Sequence, residues 1–150
     1  MANHGYVTSR RNFNKDQVLS DLHEINQRRF GGLLTIENDP TTSELFILFD
    51  NYQAFSMWIS SNKTLEFRHQ LGWGFYVEMI FRNELAAKYD GLISDEYDGR
   101  KEKQKADPNK YPTYRTWVEA TKAHMKGHPM YNQLIELELS LAPNKKFYDY

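Results

Sequence analysis

A chain of 150 residues suits one domain, and at this length folding buries roughly 70% of the surface that the unfolded chain exposes, so a core forms without staples. Apolar residues at 40% and aromatic residues at 15% exclude a disordered chain, and nineteen Lys and Arg against twenty Asp and Glu, a net charge of -1, exclude a global attraction to polyanions. Zero cysteines remove disulfides, thiolate zinc sites and cysteine nucleophiles together, which fits a reducing, intracellular setting.

Near the start, Ser9-Arg10-Arg11-Asn12-Phe13-Asn14-Lys15 resembles a twin-arginine export signal with Asn14 in place of its leucine. Such a signal continues into an apolar stretch, whereas Asp16, Gln17, Asp21, His23 and Glu24 follow here, so export by this route is not expected. No apolar run reaches the roughly 18 residues of a membrane span. The expectation is a soluble protein, or one built into a macromolecular assembly, with no membrane partner.

The first predicted helix starts at Asn14 as N-cap, with Gln17 as its capping-box partner and Phe13 placed to staple against Val18. Val18, Leu22 and Ile25 keep helical spacing, and Gly31-Gly32 stops the helix after Phe30. A hairpin is predicted from Leu33–Glu37 and Glu44–Phe49, joined by a six-residue loop around Pro40. Leu45 to Phe49 is apolar at every position, which predicts a central strand covered on both faces. Residues 53–59 read as a strand or a helical turn, and Thr64 to His69 alternates as a strand with Leu65 and Phe67 inward.

After Gly72-Trp73-Gly74, residues 75–89 carry both periodicities. Length and Glu84-Leu85-Ala86-Ala87-Lys88 favour a helix at least from Met79, stopped by Asp90-Gly91. Residues 94–112, charged and almost without apolar side chains, are the predicted long loop. A helix from Thr113 to Lys126 carries the stripe Tyr114, Trp117, Val118, Thr121 and Met125 and ends at Gly127. Another begins at Pro129, carries Leu134, Ile135, Leu137 and Leu141, and closes at Pro143. The expected fold is therefore α+β: a small antiparallel or mixed sheet of three to five strands from the N-terminal half, packed against an N-terminal helix and C-terminal helices. It forms a single domain with a charged loop at 94–112 and an aromatic arm at 144–150.

Catalytic and cofactor motifs are missing, so no catalytic, cofactor-binding or metal residue and no cofactor is assigned. His124 and His128 stand four apart, a spacing that suits one metal ion on a continuous helix, but Gly127 and Pro129 bracket the second histidine and no third ligand is positioned. Asp95, Glu96 and Asp98 fail the EF-hand register, because Ser94 takes its first position and Lys105 its twelfth. Gly72-Trp73-Gly74 has neither phosphate-loop spacing, and no serine sits in G-x-S-x-G.

Two groups point to binding. Arg100, Lys101, Lys103, Lys105, Lys110 and Arg115, interleaved with Tyr111, Tyr114 and Trp117, combine cations and rings as phosphate- and base-binding surfaces do, although the acids just upstream dilute the field and only weak nucleic-acid binding is expected. The rings of Phe147, Tyr148, Tyr150, Tyr111, Tyr114 and Trp117 exceed what a small monomer covers and suggest docking to protein partners or self-association, as do Tyr6, Val7 and Phe13 in a short N-terminal arm. The expected function is thus a non-enzymatic structural or assembly subunit, a viral particle being one such assembly. A nucleic-acid-binding or regulatory module through residues 100–115 comes second, and a metal-dependent hydrolase using His124 and His128 third.

Overall fold

The computed structural model describes residues 3–69, 73–97, 100–110, 112–124, 127–130, 133 and 136–137. The chain divides into two compact units, residues 1–108 and 109–150.

The first unit is α+β. Its elements are β1 (Asn3–Thr8), α1 (Lys15–Phe30), β2 (Thr35–Asn38), β3 (Leu45–Phe49), β4 (Tyr52–Ser61), β5 (Thr64–His69), α2 (Trp73–Lys88), β6 (Leu92–Tyr97), β7 (Arg100–Lys101) and β8 (Gln104–Lys105). The strands run in the order β2-β3-β4-β5-β1-β6-β7, with β8 also on β6, and every pairing is antiparallel. Alternation sends one set of side chains inward: Val7, Leu45, Ile47, Phe55, Met57, Leu65 and Phe67 are all buried. Each such side chain contributes about 1.5–3 kcal/mol on the transfer scale. Helix α2 packs on β4, β5, β1 and β6, with α1 beside it; Phe30 stacks on Phe81, and Phe81 meets Phe55 at 5.4 Å between ring centres.

Local chemistry sets the helix ends. The Asn14 side chain accepts a hydrogen bond from the Gln17 backbone N–H at 3.1 Å, and Gly31 turns left-handed (φ 60°) to close α1 on the Asn26 carbonyl. Buried Asn26 then clamps the next segment, donating to the Leu34 carbonyl and accepting from the Leu34 N–H. Only half of the expected capping box forms, because the Gln17 amide donates instead to Asp21 at 3.0 Å, and the Phe13 ring lies on Tyr89.

The sheet departs from expectation in three places. It has eight strands, not three to five, because Asn3–Thr8 is no arm: it forms β1 between β5 and β6, which buries Tyr6 and Val7, and Phe13 is buried just beyond it. β3 lies next to the edge, and Phe46 and Leu48 are half-buried on its outer face, since an antiparallel strand needs an apolar layer on one face only. Residues 53–59 take the strand alternative as part of β4, and the helix expected at least from Met79 reaches back to Trp73, with Gly74 resting on the Ala54 carbonyl where a Cβ would not fit. Much of the predicted 94–112 loop is paired: Glu96 and Tyr97 oppose Lys101 and Arg100, while Leu92 and Ile93 oppose Lys105 and Gln104. Edge pairing satisfies the backbone without demanding apolar side chains, so composition was silent about it.

In the second unit, Thr113 caps α3 (Tyr114–His124) through a hydrogen bond from the Thr116 N–H to its Oγ1 at 3.1 Å. Tyr114, Trp117 and Val118 are buried, and the two rings stack at 5.6 Å. Gly127 follows at φ 99°, and Pro129, Met130, Gln133, Glu136 and Leu137 are helical. Lys122 pairs with Glu136 at 2.5 Å. Leu134, Ile135, Leu141 and Met125 lie outside the described residues or side chains. No helix among the described residues is long and apolar enough to cross a membrane.

Candidate functional site

The strongest concentration of charge is buried between α2 and the sheet. Glu78 and Arg82, one helical turn apart, both point inward, and neither side chain has any exposed surface. The Arg82 guanidinium donates from Nη2 to Glu78 Oε2 at 2.5 Å and from Nη1 to the Ser94 carbonyl at 3.1 Å and Asp95 Oδ1 at 2.6 Å. His69, the last residue of β5, brings Nδ1 to 3.3 Å from Glu78 Oε2, an ion-pair distance outside hydrogen-bond geometry. Gly5 of β1 lies directly over the pair: a Cβ there would stand 2.5 Å from Arg82 Cζ and 2.7 Å from Glu78 Oε1.

Burial alone would push the Glu78 carboxyl up, but Arg82 and then His69 outweigh it and hold it below the usual range. Burial likewise opposes the charge on Arg82, and Glu78 and Asp95 more than restore it. The charges are therefore locked against each other. General acid or base work needs a group within reach of a substrate, and both side chains of the pair are shut off from solvent, although Glu78 Oε1 and Arg82 Nε make no hydrogen bond among the described residues. Its effect is on specificity of packing: it fixes the rotation of α2 on β1, β5 and β6.

A second network crosses the helices. Glu84 accepts from Arg28 at 2.7 Å and Arg29 at 2.9 Å, Arg28 also pairs with Glu24, and Lys88 joins Glu24 at 3.3 Å. Arg29 and Asn83 hold the segment beyond β8 by bonds to the Pro108 carbonyl and the Asp107 N–H. The arginine motif near the N-terminus is absorbed here as well. Ser9 Oγ donates to the Tyr89 carbonyl at 3.0 Å, Arg11 donates to the Lys88 carbonyl and lies over the Tyr89 ring, and the Tyr89 hydroxyl donates to Asp21 at 2.7 Å. Burial and the Asp21 carboxylate raise the Tyr89 hydroxyl well above its ordinary value.

The outer face of the sheet carries a smaller cluster. Half-buried Trp58 has the Arg68 guanidinium 5.5 Å above its ring and His4 against its edge, and His4 is 3.5 Å from Glu66. Among the described residues the first unit also carries concavities. One of about 120 Å³ lies between Lys15 and Val18 of α1, the Thr42-Ser43 turn and Met57 to Ile59. Another, of about 520 Å³, opens beyond the ends of β1 and α2 and is lined by Arg10, Asp90 and Lys105 over Ala86, Ala87 and Gly91.

The residues singled out in the sequence are scattered. Lys103 and Lys105 are exposed in the first unit, Lys110 and Arg115 are exposed in the second, and the side chains of Arg100 and Lys101 lie outside the described set. Tyr114 and Trp117 are buried, while Tyr111, Phe147, Tyr148 and Tyr150 lie outside the described residues. Asp95 serves Arg82; the Glu96 side chain and Asp98 are not described. His124 ends α3, His128 follows Gly127, and both are exposed. Among the described residues no three His, Asp or Glu side chains gather to hold a metal ion. The sequence reading missed the Glu78–Arg82 lock and the Arg10–Lys105 groove. The first had a signal: α2 is apolar over so much of its circumference that Glu78 and Arg82 had no solvent face left to occupy. No family model, curated protein or solved structure matches the chain.

Proposed function

We propose that the chain is a non-enzymatic structural or assembly subunit whose C-terminal unit docks a protein partner or another copy of itself. The observation that carries this reading is a pair of large apolar side chains at helical positions of the C-terminal unit, Met130 at 78% and Leu137 at 63% exposure. Single exposed apolar residues are ordinary, but two large ones in one small unit offer apolar area that a partner can cover. Further along the sequence come the aromatic residues Phe147, Tyr148 and Tyr150. Burying such side chains at an interface contributes about 1.5–3 kcal/mol each before the entropy of association is subtracted.

The first unit supports the same reading from the other side. Its buried charges are committed to one another, which suits a rigid scaffold better than a catalytic centre. The test is the native mass of the purified protein against Met130→Glu/Leu137→Glu. The reading expects a mass above the monomer, alone or with its partner, that falls to the monomer in the variant at unchanged circular dichroism. A monomeric wild-type protein that also captures no partner, or a variant that assembles normally, refutes it.

A further inference from the structure

We propose that the groove beyond the ends of β1 and α2 binds a small phosphorylated polyol, its phosphate held by Arg10 and Lys105 and its hydroxyl groups by Asp90. At about 520 Å³ the space falls within the roughly 300–1,000 Å³ of ordinary small-molecule sites. Its floor is small and closed, with Ala86 and Ala87 from α2 and Gly91, whose missing side chain lets the backbone rest against the Thr8 carbonyl. Arg10 and Lys105 reach the rim from segments ninety-five positions apart.

The surroundings of these two residues point to a ligand. Arg11, Arg28, Arg29 and Arg82 are each engaged by carbonyl or carboxylate groups, and Arg68 lies over Trp58. Arg10 and Lys105 make no ion pair among the described residues, and neither does Asp90, which lines the same space. A planar guanidinium matches phosphate oxygens in two parallel hydrogen bonds, and an ammonium across the groove adds a point charge. The end of a helix would ordinarily repel an anion, but here the Ala86 and Lys88 carbonyls at the end of α2 are already taken. Gly91 N–H binds the Ala86 carbonyl, and the Arg11 guanidinium sits on Lys88. Asp90 is the acceptor left for hydroxyl groups. Among the described residues no aromatic side chain lines the groove to stack a base, so the polyol is the better fit.

The proposal is independent of the assembly reading. It is tested on the full chain by titrating inorganic phosphate, a hexose phosphate and the unphosphorylated hexose while following amide resonances of Ala87, Gly91 and Ala106. The expected result is saturable binding of the hexose phosphate about tenfold tighter than inorganic phosphate, with the free hexose silent. Arg10→Gln/Lys105→Gln should weaken the hexose phosphate by about tenfold or more at unchanged circular dichroism. Asp90→Asn, which tolerates the left-handed backbone at φ 52°, should erase the preference over inorganic phosphate. Shifts spread over the surface without saturation, a hexose phosphate no tighter than phosphate, or full binding in the double variant overturns the proposal. So does an oligonucleotide that moves the same amides at lower concentration.

Discussion

Replacing Arg82 by Met tests whether the buried lock is an interacting pair or two separately tolerated charges. Met keeps much of the volume but leaves Glu78 fully buried beside His69 alone, with both side chains of the original pair at zero exposure. Removing one partner of a buried ion pair costs about 3–5 kcal/mol, chiefly the desolvation of the charge left behind. Removing both is often neutral, so Glu78→Met/Arg82→Met should recover most of that loss. The pH dependence gives an independent check. In the wild-type protein the Glu78 carboxyl is lowered, so its contribution is complete above the ordinary carboxyl range and is lost as pH falls through the lowered value. In Arg82→Met burial has the stronger hand and raises that carboxyl, so the folded state takes up the proton more readily than the unfolded chain and gains stability as pH falls. Urea unfolding followed by tryptophan fluorescence at pH 7 and pH 5 should therefore show the deficit of the single variant shrinking at the lower pH. A cost below about 1 kcal/mol for Arg82→Met, or a double variant no more stable than the single one, would refute the lock.

Gly5→Ala presses a methyl group onto the same pair, whose atoms are held at both ends, and should cost about 1–3 kcal/mol in the same urea assay. Asn14→Ala removes the acceptor for the Gln17 N–H and should cost about 1 kcal/mol, read from the same unfolding curves, while Asn14→Asp should be nearly neutral. Lys103→Glu/Lys105→Glu should change oligonucleotide binding at physiological salt little, because the chain as a whole is near neutral; a loss of tight, salt-sensitive binding would bring the nucleic-acid reading forward. Deleting residues 144–150 should leave the fold of the first unit and its melting temperature unchanged while association falls, as judged by calorimetry and native mass.

The elements written plainly in the sequence are those whose local signals agree with one another. Asn14, the Val18-Leu22-Ile25 stripe and Gly31 mark α1 from end to end, and Leu65 and Phe67 declare the inner face of β5. β1 escaped because only Tyr6 and Val7 announce it, after a polar start through His4 and a glycine whose reason lies across the core, at Arg82 and Glu78. β7 and β8 escaped for the opposite reason: two-residue edge strands need only backbone partners, and Arg100, Lys101, Gln104 and Lys105 look like any solvated loop. The Glu78–Arg82 pair has the spacing of an exposed helical salt bridge, so only the apolar circumference of α2 distinguishes it from a solvent-facing one.

The groove was out of reach for a further reason, which is that strand register creates it. Thr8 opposes Leu92 across β1 and β6, and Leu92 opposes Lys105 across β6 and β8, so three residues distant in sequence fall in one row. A slip of one residue between β6 and β8 would turn Lys105 to the opposite face and dismantle the cationic rim. Gly91 stands where that row begins, against the Thr8 carbonyl, and a side chain there would push β6 away from β1. The residues that define the site are thus the same ones that fix the pairing. Any variant used to probe ligand binding should alter the tips of Arg10, Asp90 and Lys105 and leave Thr8, Gly91 and Leu92 alone.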